Sequence, residues 1–137
     1  MRDNKAQYLR VVLLADAATC ALSGTLSLTL AHTLSAPLGM SLGLLRAAGA
    51  VLLAVAAFIL FAARNVPALR WPVWAVVIGN AAWVLESVLV ALSGSEPLTA
   101  VGQAVVIGQA VAVAVIAELE YIGLRKTAAL QPSAAQS

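Results

Sequence analysis

Four long stretches of the chain are almost unbroken Ala, Leu, Val and Ile, at about 11–31, 43–63, 72–92 and 99–122. Each has roughly the 20 residues that a helix needs to cross the hydrocarbon core of a bilayer. A backbone in lipid finds no hydrogen-bond partner outside itself, so such stretches are helices or strands of a closed barrel. None shows the two-residue alternation of a barrel strand. The pattern therefore predicts an all-α protein, a four-transmembrane-helix bundle over 1–126. Between the spans lie turn formers, "SAPLG" at 35–39 and "SGSEPL" at 93–98, and Pro37, Pro97 and Pro72 mark helix starts. The shared S-x-P-L connectors hint at a duplicated two-helix hairpin. Residues 1–8 read as a short polar leader in an interfacial turn. Residues 127–137, small and polar, read as a disordered cytoplasmic tail.

Composition agrees. Of 137 residues, 62% are hydrophobic and only 10% charged, where a soluble domain carries about a quarter. Seven of the eight basic residues (Arg2, Lys5, Arg10, Arg64, Arg70, Arg125 and Lys126) fall on one side of a chain that crosses four times. The positive-inside rule then puts both termini in the cytoplasm of a multi-pass inner-membrane protein. Tyr8, Trp71, Trp74 and Tyr121 fall at the same interface, where amphipathic rings anchor. Topology accounts for the basic residues, so no patch remains for nucleic acid. The first span starts like a signal peptide, but its length, Asp16 and the lack of a small-x-small cleavage site mark it as retained.

The candidate chemistry is the set of polar residues inside the spans. A charge at the bilayer centre costs about 2.5–3.5 kcal/mol on insertion scales, so such groups pair or face a cavity. At a rise of about 1.5 Å per residue, Asp16 lies about 10 Å in from the cytoplasmic entry. Arg46 and Glu86 fall near one level in the outer half, which predicts an ion pair between spans two and three. His32, at the outer end of span one, is read as an interfacial residue. Asn80 and Gln109 fall near mid-membrane and are expected to hydrogen-bond to each other across spans three and four. Asp16 has no basic partner at its depth. With Cys20, Ser23 and Ser27 it occupies a narrow arc of the first span. Asn80, Trp83, Glu86 and Ser87 share part of span three. Gly102, Gln109 and Glu120 share an arc of span four, with Glu118 pointing away. These faces are expected to converge on one internal seam. Gly43, Ala47, Ala50, Ala54 and Ala57 give span two a small face for close helix approach. The candidate ligand-binding or coupling residues are thus Asp16, Arg46, Asn80, Trp83, Glu86 and Gln109.

The single His and single Cys leave no ligand set for zinc or haem and no Cys–His nucleophile within one chain. No metal, no cofactor and no enzymatic activity are expected. The basic leader followed by "APLGMSLGLLRAAGAVLLA", with Arg46 in the first turns of the second helix, resembles small bacterial DoxX-like membrane proteins. That resemblance implies an accessory subunit of a quinone-linked or redox complex. The layout is also similar to the small multidrug resistance transporters, four-helix dimers with an acid in the first helix, to which Asp16 would correspond; the motif around it differs, and the likeness is one of architecture. Two functions follow as expectations. The first is an inner-membrane bundle binding an apolar or lipid-like ligand, or a partner membrane subunit, along the polar seam, with Arg46 and Glu86 orienting a headgroup. The second is a small dimeric proton- or cation-coupled transporter using Asp16.

Overall fold

The computed structural model describes residues 2–128. Its elements are α1 (Arg2–Thr29), α2 (Ala31–Leu38), α3 (Leu42–Arg64), α4 (Trp71–Ser93) and α5 (Ala100–Ala128), with no strand among the described residues. α1, α3, α4 and α5 are long and apolar enough to cross a membrane, the make-up of a multi-pass membrane protein. Their outward faces carry large apolar side chains such as Leu22, Ile78, Leu85, Leu92 and Val111.

Three boundaries differ from the sequence reading. The leader is helix, because Ala6, Leu9 and Leu13 extend the buried stripe of α1 toward its start and nothing in "RDNKAQY" breaks a helix. The first connector contains α2. Pro37 sits inside its last turn, Gly39 ends it in the left-handed conformation (φ 71°), and Ser41 caps α3 by accepting from Leu44 N at 3.1 Å. α5 runs six residues past the expected end, because Gly123, Leu124 and Thr127 are buried and hold its last turns against the bundle. Residues 129–137, the rest of the expected tail, lie outside the described residues.

The chain forms two antiparallel hairpins, α1–α3 and α4–α5, joined chiefly through α1 and α5, while α3 and α4 touch less. The α1–α3 crossing is close: a Cβ on Gly24 would sit 2.8 Å from Gly49 O, and one on Gly49 would sit 2.9 Å from Gly24 O. That crossing sets the rotation of α3. Its buried face is Leu45, Gly49, Ala56, Ile59, Ala62 and Ala63. The small face expected to pack, Gly43, Ala47, Ala50, Ala54 and Ala57, is exposed instead.

Both ends of the bundle are braced. At the end holding the chain termini, Arg10 donates to Ala63 O (3.2 Å) and Val66 O (2.8 Å). Arg70 donates to Leu124 O (3.1 Å) and Thr127 Oγ1 (3.3 Å). Cations here satisfy carbonyls that a helix C-terminus leaves without partners. At the far end, Thr99 N donates to Leu38 O (3.1 Å) and Thr99 Oγ1 to Pro37 O (2.6 Å). Glu96 clasps the start of α3, accepting from Ser41 N (3.2 Å) and Ser41 Oγ (2.9 Å), where the helix dipole favours a negative charge.

Candidate functional site

Between the hairpins lies a crevice of about 510 Å³, within the range of small-ligand sites. Its walls are mostly apolar, including Val55 and Phe58 of α3, Val76 of α4, and Val113 and Ile116 of α5. Val51 and Ala54 on α3, and Ala75, Gly79, Ala82 and Glu86 on α4, line it and are also exposed. Thr19 and Ser23 on α1 and Ala112 on α5 do the same, and the opening is widest where the neighbouring long helices touch least, between α3 and α4. Phe58 and Phe61 close that gap toward the α3–α4 link by contacting the Trp71 ring at centroid distances of 6.0 and 6.2 Å.

Asp16 and Asn80 line the depth of the crevice, and Glu120 is buried beside them without lining it. Asp16 of α1 is 2% exposed, Asn80 of α4 is 6% and Glu120 of α5 is 0%. The Asn80 side-chain amide donates to both carboxyls, to Asp16 Oδ2 at 2.9 Å and Glu120 Oε1 at 2.8 Å. Cys20, one turn along α1, donates its thiol to Asp16 Oδ1 at 3.6 Å. Three helices thus meet at one amide. The sequence-predicted seam forms here, since the polar arcs of α1, α4 and α5 do converge.

Nearer the far end of the crevice a second polar relay ties α4 to α5. Trp83 Nε1 donates to Gln109 Oε1 at 2.8 Å, and Gln109 Nε2 donates to Ser87 Oγ at 2.8 Å. Trp83 and Gln109 both line the crevice. The expected Asn80–Gln109 bond is not made: each has a partner nearer its own level, Asn80 the carboxyls and Gln109 the indole.

The expected Arg46–Glu86 ion pair is also not made. Both residues are exposed, and Arg46 Nη2 lies 3.0 Å from His32 Nε2. Equal depth does not make two side chains face each other; the Gly24–Gly49 crossing turns Arg46 toward α2, whereas Glu86 borders the crevice. Of the six candidates, Asp16, Asn80, Trp83, Glu86 and Gln109 line one crevice and Arg46 stands apart.

Glu120 is the residue that sequence reasoning left off the candidate set. Ending the last span at 122 put it two residues from water. The signal was present in the spacing 120, 123, 124 and 127, which carries one helix face past the supposed end.

Among the described residues no group of His, Cys, Asp and Glu is arranged to hold a metal ion. No family model, curated protein or solved structure matches the chain.

Proposed function

We propose that this protein is a multi-pass protein of the bacterial inner membrane, with both termini cytoplasmic, that takes an apolar or lipid-like molecule into the α3–α4 crevice. The carrying observation is the crevice itself: mostly apolar walls, a sideways opening on the faces that lipid would cover, and buried Asp16 and Asn80 at its depth. A ligand entering from the bilayer keeps its apolar body in apolar surroundings and brings one polar end to Asp16 and Asn80. The braced arginine end is the one that the positive-inside rule assigns to the cytoplasm. The exposed apolar flanks suit a second copy or a partner membrane subunit, the role that the DoxX-like resemblance implies.

Native mass spectrometry of protein gently extracted from its own membrane tests this. The wild type is expected to retain a stoichiometric lipid-like adduct. Gly79→Trp is expected to lose it without loss of thermal stability, because a Cβ added at Gly79 meets nothing within 4 Å and the side chain beyond it would grow into the crevice. An adduct that persists in Gly79→Trp overturns the reading.

The buried carboxyls favour a second reading, a small dimeric proton- or cation-coupled transporter. It expects substrate-driven proton movement in proteoliposomes that disappears in Asp16→Asn. Unchanged flux in that variant removes Asp16 from the mechanism.

A further inference from the structure

The crevice has spent the hydrogen-bond donors in its depth. Thr19 turns its hydroxyl back onto Ala15 O (2.9 Å), and Cys20 gives its thiol to Asp16 Oδ1. Both amide hydrogens of Asn80 go to carboxyls, one to Asp16 and one to Glu120. The Trp83 indole goes to Gln109, whose own amide donates to Ser87 Oγ and Val106 O. Ser23 is the lining hydroxyl outside this network, and it is exposed, about 10 Å along α1 from Asp16. Acceptors, by contrast, remain. An amide that has given both hydrogens keeps a carbonyl oxygen with two lone pairs. Among the described residues only Glu120 Oε2 is a sealed side-chain atom without a partner, so Asn80 Oδ1 is open to the crevice that Asn80 lines. Asp16 beside it and Glu86 at the exposed mouth add carboxyl oxygens. Charge is a second, independent observation. No Lys, Arg or His lines the crevice, and the part-buried Arg10 and Arg70 are held by the carbonyls of Ala63, Val66 and Leu124.

We propose that the crevice binds an uncharged lipid alcohol, an apolar chain whose hydroxyl end donates to Asn80 Oδ1. This rests on the crevice being the ligand site and names its ligand class. The chain lies among Val55, Phe58, Val76 and Ile116. The polar end is selected by what the depth lacks. An ester or ketone brings only acceptors, and in the depth they meet no free donor, so they lose their water and gain nothing. A fatty acid or an anionic phospholipid brings a negative charge to a lining with no cation and with Glu86 at its mouth. A buried cation needs a partner of its own, and both oxygens of Asp16 already accept, one from Cys20 and one from Asn80. A hydroxyl needs only the single acceptor that Asn80 offers. Its hydrogen bond adds to the network without moving any bond already made.

The test uses the full chain, stripped of lipid in maltoside micelles, with monomyristoylglycerol, methyl myristate and myristate as probes. The three share one chain and end in a donor, an acceptor-only ester and an anion. Each is offered at the same mole fraction in the micelle, and occupancy is read by native mass spectrometry. Monomyristoylglycerol is expected to bind 1:1. Methyl myristate is expected to bind about tenfold more weakly, the worth of one hydrogen bond, and myristate at least as weakly as the ester. Glu86→Lys, a change at an exposed position, is expected to raise myristate binding by about fivefold and to leave the preference for the glyceride over the ester in place. Equal binding of glyceride and ester overturns the proposal. So does tighter binding of tetradecyltrimethylammonium, which carries a charge but no donor. If Gly79→Trp loses a lipid-like adduct while glyceride and ester bind the wild type alike, this inference falls and the crevice reading stands. If Gly79→Trp keeps its adduct, the crevice reading falls first.

Discussion

Asn80→Leu is expected to destabilise the protein by roughly 3–5 kcal/mol, since it removes two hydrogen bonds to carboxyls worth about 1.5–3 kcal/mol each when one partner is charged. The replacement keeps the branched shape and the number of side-chain heavy atoms. What changes is that Asp16 and Glu120 lose the one amide that touches both. A buried carboxyl without a donor costs far more than the same position filled by an apolar group. Unfolding of the purified protein by titrated denaturing detergent, followed by circular dichroism, measures the loss. A double variant, Asn80→Leu with Glu120→Gln, is expected to regain part of it, because the glutamine amide can donate to Asp16. If Asn80→Leu is within about 0.5 kcal/mol of wild type, Asn80 is not what holds α1, α4 and α5 at this point.

Gly102→Val is the second large effect, and it acts at the opposite end of the bundle. A Cβ on Gly102 would land on the Leu38 carbonyl. That is backbone, which cannot swing aside as a side chain does. α2 must lift off α5, taking with it the Thr99 bonds to Leu38 and Pro37. Overpacking of about 1–3 kcal/mol and two hydrogen bonds of about 1 kcal/mol each sum to roughly 3–5 kcal/mol. The control is Gly108→Ala on the same helix, where an added Cβ meets nothing within 4 Å. It is expected to be neutral or to stabilise by up to about 1 kcal/mol, the helix preference for Ala over Gly. A melting temperature for Gly102→Val equal to that of Gly108→Ala would show that α2 does not need its close seat on α5.

What the sequence made legible follows from which physical constraint was local. Span length and continuity are local, so the four long helices could be read directly. The arc carrying Asp16, Cys20, Ser23 and Ser27 is local to one helix, and its first three residues face the crevice while Ser27 does not line it. Which arcs meet is set by helix rotation, and that depends on a contact between distant residues, Gly24 against Gly49. Hence Arg46 was paired with Glu86 by depth, although the crossing turns it toward His32. Hence also the small face of α3 was assigned to packing when it is exposed. The ends of α1 and α5 were missed for a related reason. Polar residues such as Lys5 and Lys126 read as interface, yet Lys126 lies 4.5 Å over the Tyr8 ring, so each helix end is ordered by the other.

The sideways opening between α3 and α4 also decides how occupancy of the crevice must be counted. A molecule that enters there arrives dissolved in the bilayer, not in water. Its governing concentration is its mole fraction among the lipids, and its apparent affinity in buffer is the product of partitioning and true binding. Diluting a suspension of membranes with buffer leaves that mole fraction almost unchanged for a strongly partitioning molecule. Adding empty vesicles lowers it. On the proposed function, such a site is emptied by more lipid and barely touched by more water, and two ligands of equal fit will differ in potency by the ratio of their solubilities in the membrane.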